Sequence, residues 1–137
     1  MAFSDPGINR KIQWSMGPEA PTVTLAEDGI VRGDILGYSS GWKRALATAG
    51  SVIQGRLVAL ADGGNGDVIP VAHVAVVGGY SGATAGNPVY VDESTNNGMV
   101  TQTAPSTSGD ANTIIGIALS ATEILFFLNS RADSTAA

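Results

Sequence analysis

Asn96-Asn97-Gly98 stands between two short β-favouring runs, Val89-Tyr90-Val91 and Met99-Val100-Thr101, and turns the chain back on itself. Asn and Gly accept positive φ at little cost, so this pattern is a strong hairpin signal, and a type I′ turn is expected. Ala85-Gly86-Asn87-Pro88 opens the unit with another turn, because Pro fixes its own φ and removes a donor. After a loop rich in Ser, Thr, Gly and Pro comes Ile114-Ile115-Gly116-Ile117-Ala118-Leu119, and Glu123 then leads into Ile124-Leu125-Phe126-Phe127-Leu128. Turn, strand, hairpin, strand, loop and two apolar strands describe antiparallel β structure.

A looser copy of the unit lies upstream. Gly33-Asp34-Ile35-Leu36-Gly37-Tyr38 aligns with Gly86-Asn87-Pro88-Val89-Tyr90-Val91, with the tyrosine one residue out of step. Val52-Ile53-Gln54-Gly55 aligns with Thr113-Ile114-Ile115-Gly116, and Asp67-Val68-Ile69 with Glu123-Ile124-Leu125. Loops absorb the unequal gaps between these anchors cheaply. The expectation is an all-β barrel or sandwich of two loosely repeated units, about residues 22–77 and 78–129. An extended N-terminal arm, residues 1–21, would precede them, and a frayed tail, residues 130–137, would follow.

At 137 residues the chain is long enough for one domain with a real core, and the absence of Cys excludes disulfides, thiol nucleophiles and cysteine metal sites. Only 14% of residues are charged, which suits tight-turned β structure or a surface covered by partners. A net charge of -5 argues against nucleic acid as a partner, since that affinity comes mostly from Lys and Arg. The apolar runs are too short to span a bilayer, and the first residues lack a signal-peptide core. A soluble protein made in the cytoplasm, without a membrane partner, is expected.

The arm contains Pro6, Gly7, Gly17, Pro18 and Pro21, and its apolar residues Phe3, Ile8, Ile12 and Trp14 follow no clear period. With Arg10 and Lys11 available to acidic groups, these six residues are the candidate partner-binding set. The alternative is an arm folded over its own domain, with Trp14 capping the core.

Other motifs carry less. Arg32-Gly33-Asp34 spells an integrin-recognition triplet, but three residues recur by chance, and the repeat puts Gly33-Asp34 at a strand-opening turn. Asp62-Gly63-Gly64-Asn65-Gly66-Asp67 resembles a calcium loop with the wrong spacing and without tandem repetition, so a hairpin loop is expected. Lys43 to Ala49 is read as strand rather than helix. Residues 68–77 read as one long strand, apolar on both faces, which suits an interface-covered position and motivates a homotrimer. His73, the sole histidine, is expected inside that strand as a hydrogen-bonded imidazole. Without a second His or a nearby acid it offers neither a metal site nor a Ser-activating base. Asp92 and Glu93 would point to opposite strand faces. The expectation is a non-enzyme without cofactor or metal.

Gly-Asp-Val-Ile-Pro-Val (Gly66 to Val71), Pro-Val-Tyr-Val (Pro88 to Val91), Gly98-Met99-Val100-Thr101 and Ile115-Gly116-Ile117-Ala118-Leu119 together resemble the cement or decoration proteins of tailed-phage capsids. The resemblance spans roughly residues 52–128 and rests on strand-and-turn signatures. It implies a compact, often trimeric β fold on the capsid exterior, which binds the major capsid protein and stabilises the head. The long N-terminus and the loop at residues 37–50 depart from that pattern. A small adhesion or carbohydrate-binding domain is the alternative, and exposed Tyr38, Trp42 and Tyr80 on one face would favour it. A hydrolase would need His73 accessible beside a Ser.

Overall fold

The computed structural model describes residues 2–15, 21–128 and 133–137. It is nearly all β, in two antiparallel sheets that do not close into a barrel. Strands β1 (Lys11–Ser15), β7 (Val74–Gly78), β8 (Pro88–Val91), β9 (Val100–Thr101), β10 (Ile114–Ala118) and β11 (Glu123–Phe127) form the larger sheet, ordered β1-β7-β11-β10-β8-β9. Strands β2 (Thr22–Thr24), β3 (Ile35–Tyr38), β4 (Trp42–Arg44), β5 (Leu57–Ala59) and β6 (Val68–Ala72) form the smaller, ordered β2-β6-β5-β3-β4.

Leaving β1 aside, the two orders are the same with each number raised by five. The duplication seen in the sequence is therefore a duplication of topology. Matching hydrogen bonds define it closely: Gly33 N–H donates to Ala59 O as Gly86 N–H does to Ala118 O, and Ala59 N–H donates to Asp34 O as Ala118 N–H does to Asn87 O. These bonds equate β5 with residues 116–118, so the counterpart of Gly116 is Leu57, not Gly55 as the sequence alignment had it. The cause is the hairpin connection, residues 39–41 between β3 and β4 but residues 92–99 between β8 and β9, which hides the true register. Leu125 likewise corresponds to Ala72 rather than to Ile69, since these two pair with Ile117 and Val58.

Residues 68–77, expected as one strand, are two. β6 ends at Ala72, β7 begins at Val74, and the strands belong to different sheets. A chain that changes sheets must bend at the corner. His73 is at that bend and exposed, not an imidazole within a strand. The hairpin between β8 and β9 also differs in detail. Its loop runs from Asp92 to Met99, and of the Asn97-Gly98 pair only Gly98 has positive φ. With Met99 N–H on Asn96 O, that is the pattern of a type II turn rather than type I′.

The main core lies between the sheets. The larger sheet contributes Val77, Val89, Ile115, Ile124 and Phe126, and the smaller contributes Ile35, Val58 and Ala72. A second core covers the other face of the smaller sheet, where Leu36, Leu57, Ala59, Ile69 and Val71 meet Leu25 and Ile30. A bridge between Leu25 and Trp42 draws the two edges of this sheet together over that core. The smaller sheet is thus a middle layer, apolar on both sides.

The expected tail is tied down in its described part. Residues 134–136 exchange hydrogen bonds with Gly109, Asp110 and Asn112, and Asp133 holds Arg56 in a two-pronged ion pair at 2.5 and 2.7 Å. Residues 130–132 of that tail lie outside the described residues.

The duplication pairs two cross-strand rows. Ile35–Val58–Ala72 in the smaller sheet corresponds to Pro88–Ile117–Leu125 in the larger. The first row is buried in the main core, whereas the second is half-buried on the outer face. Val58→Asp should therefore prevent folding, since a carboxylate without a partner costs several kcal/mol in such a site. Ile117→Asp should leave a folded chain. Circular dichroism with urea titration separates the two, and equal loss in both variants would show that the outer row is also needed for the fold.

Candidate functional site

The six N-terminal candidates have different fates. Arg10 is completely buried and faces inward. Its Nε donates to Asp5 Oδ1 at 2.8 Å and its Nη1 to Asp34 Oδ1 at 2.7 Å. Asp5 also accepts from Gly7 N–H and Val100 N–H, and Asp34 from Val31 N–H. The guanidinium thus joins the N-terminal segment, the first unit through Asp34 and the second through Val100. Only Gly fits at position 33, because a Cβ there would lie 2.5 Å from Arg10 Cδ. Burial by itself would lower the Arg10 pKa, but the Asp5 hydrogen bond and the charges of both acids outweigh it and hold the group charged. Burial pushes the Asp34 carboxyl up, against the pull of Arg10 and of Val31 N–H. It also pushes the nearby Tyr80 phenol far above its ordinary range.

The free docking arm is corrected accordingly for residues 2–15. Arg10 meets acids of its own chain, so it is not available to a partner's. Phe3 stacks on Tyr80 with ring centroids 5.8 Å apart, and Ile12 packs against the main core. Lys11 to Ser15 pair with β7, with a bulge between Ile12 and Trp14. Ile8, Lys11 and Trp14 remain outside, with Ile8 67% and Trp14 51% exposed, so Trp14 does not cap the core. Residues 1 and 16–20 of the arm lie outside the described residues. The integrin-like triplet is not displayed either, because Asp34 is buried against Arg10.

Trp14 instead ends a row that crosses the larger sheet: Trp14, Val76, Leu125, Ile117, Pro88. Each member is exposed or half-buried, and none is polar. An antiparallel sheet with one face on the core ordinarily turns polar side chains to water on the other. Sequence reasoning noticed the two-sided apolar character of residues 68–77 but missed this row. The signal was present in Ile114-Ile115 and Leu125-Phe126-Phe127, where apolar residues occupy both parities of a strand.

A second feature is a cleft of ≈ 550 Å³ at the open end of the curled smaller sheet, lined by Val23, Tyr38, Trp42, Arg56, Leu57 and His73 among others. Pairing of Tyr38 with Trp42 brings their rings to 5.4 Å in an edge-to-face contact of 81°. Tyr80, the third aromatic of the expected cluster, is buried beside Phe3 instead. No Ser is among the described residues lining the cleft beside His73. In the calcium-like loop, Asp67 accepts from Gly64 N–H, and Asp28 accepts from Asn65 N–H. Asp62 accepts from Arg32 N–H. Asp92 likewise serves its turn, accepting from Glu93 N–H and from Asn96. Among the described residues, no cluster of three or more His, Asp or Glu is placed to hold a metal ion.

The chain matches no protein-family model, no characterised protein and no solved structure.

Removing one partner of a buried ion pair leaves an uncompensated charge, at a cost of roughly 3–5 kcal/mol. Arg10→Ala should therefore lower stability by about that much, and a chain beginning at Thr22 should fail to fold. Thermal denaturation checks both. A stable, cooperative truncated chain would show that the N-terminal segment is dispensable to the domain.

Proposed function

We propose that the protein is a structural virion component, a cement or decoration protein that binds the exterior of a tailed-phage capsid as a homotrimer and stabilises the head. The observation that carries this reading is the apolar row Trp14–Val76–Leu125–Ile117–Pro88. A protein that reinforces a shell needs contact area rather than chemistry, and this row is contact area of the kind that permanent assemblies bury. Interfaces between copies of one chain are more apolar than transient ones, so the occupant of this face is a second copy. The duplication supports the choice. The equivalent row in the first unit, Ile35–Val58–Ala72, is already buried against the second unit of the same chain. A face met by a different face of the next copy is a heterologous contact, and where its rotation closes it forms a ring such as a trimer.

Contact with the major capsid protein falls to groups that the trimer leaves free. Ile8, Lys11 and Leu119 are exposed near the Gly78 end of the larger sheet, where Lys11 and Glu123 both pair with Gly78 and Leu119 N–H donates to Glu123 O. β1 is also the edge of its sheet, so it can accept a further strand through main-chain hydrogen bonds.

Sedimentation equilibrium at micromolar concentration should give a trimer for the native chain and a folded monomer for Ile117→Asp. A monomeric native protein would count against the assembly. Co-sedimentation with undecorated phage heads should show saturable binding that weakens by about tenfold or more in Ile8→Asp, roughly 1.4 kcal/mol. Failure of the native trimer to bind heads would overturn the virion role.

A further inference from the structure

The structure assigns a second binding site, independent of the apolar row: we infer that the Tyr38–Trp42 cleft binds a neutral saccharide. The cleft is at the mouth of the curled smaller sheet, a location where β folds commonly accept small ligands, and its ≈ 550 Å³ falls in the range of such sites.

Its walls match the two-sided chemistry of a sugar ring. A pyranose presents a face of C–H bonds, which carry slight positive charge and suit the electron-rich face of an aromatic ring, and an edge of hydroxyls that demand paired donors and acceptors. Tyr38 and Trp42 supply the aromatic element. Their interplanar angle of 81° makes a corner rather than a flat wall, and Tyr38 remains 65% exposed although large aromatic side chains usually gain by burial. The hairpin between β3 and β4 holds the pair in place, with Ser39 N–H donating to Gly41 O and Ser40 in the left-handed region at φ 54°. Strained backbone in a non-glycine residue at such a turn is a feature met at binding sites. Val23 and Leu57 continue the apolar wall into the second core.

The polar element is Arg56, which lines the cleft and is held from behind by Asp133. Nη1 and Nη2 each give one N–H to that carboxylate, which leaves further guanidinium N–H groups as donors for hydroxyls, and the side chain remains over two-fifths exposed. Arg56 lowers the Asp133 pKa through the hydrogen bond, so this carboxylate stays ionised and holds the guanidinium in place. His73, exposed at the corner between the sheets, adds a further ring nitrogen to the lining. Because Arg56 and Asp133 cancel in charge, the site favours an uncharged ligand over a polyanion.

Tryptophan fluorescence tests this on the free protein without phage heads, so its outcome is separate from that of the capsid reading. In a Trp14→Phe background Trp42 is the single reporter, since the chain has two tryptophans. The probes are hexaoses of glucose, galactose and N-acetylglucosamine, and a decaproline peptide. At least one hexaose should shift the emission saturably with a Kd of about 1 mM or tighter. The affinity should hold between about 50 and 500 mM salt, because no net charge is neutralised. Tyr38→Ala, at an exposed position, should weaken it at least about tenfold, and Arg56→Gln should weaken it while the fold persists. No response to any hexaose at about 10 mM overturns the proposal, as does binding unaffected by Tyr38→Ala. A response to decaproline alone overturns it in favour of a peptide groove.

Discussion

The middle of the smaller sheet, around β3 and β5, is buried on both faces, and the remainder of the molecule is arranged to make that possible. One face, Ile35, Val58 and Ala72, needs the larger sheet above it. The other, Leu36, Leu57 and Val71, needs the crossing segment that carries Leu25 and Ile30. Without the larger sheet the row Ile35–Val58–Ala72 would face water beside a second apolar face, so the first unit of the duplicated fold is not a domain in its own right. The bend at His73 follows from this requirement, because β6 must end in one layer and β7 begin in the next.

The Arg10 clasp then secures the two units to the N-terminal segment. A charge in a dry site is held only by partners of opposite sign and by hydrogen bonds that satisfy the remaining lone pairs. Asp5 and Asp34 meet both conditions, with main-chain N–H groups of Gly7, Val100 and Val31 completing their shells. The specificity of this arrangement is geometric: it needs Gly33 for the approach of the Arg10 stem and fixes where Lys11 enters the edge of the larger sheet. The segment is extended, as its Pro and Gly content suggests, but it is built into the domain.

Two surfaces follow from the asymmetry between the units. The first unit buries its outer row against the second and curls over its own inner face, which leaves a cleft at the curl's open end. The second unit has its inner face covered by the first, and its outer row, ending at Trp14, faces outward. One feature is an apolar plane suited to a neighbouring copy, the other an aromatic corner suited to a small ligand. They arise from different faces of the duplicated sheet and can operate together.

The sequence by itself determined the β class, the presence of a duplication and most strand positions, because period-two patterning, Gly-Pro turns and β-branched residues act locally. It did not determine where the units divide, since β7 is the counterpart of β2 and belongs to the second. It also showed that residues 68–77 carry apolar side chains on both parities. It did not determine the partners of Arg10 or the exposure of Trp14 and His73. A charge looks solvated in sequence until two acids, five and twenty-four residues away, converge on it. Tyr38 and Trp42 read as loop aromatics until β3 and β4 pair in register, and Arg56 meets Asp133 only through a contact across 77 residues. Which apolar row is core and which is surface was settled by how the two sheets stack. That is a property of tertiary packing, since Ile35–Val58–Ala72 and Pro88–Ile117–Leu125 are equally apolar and differ only in what lies against them.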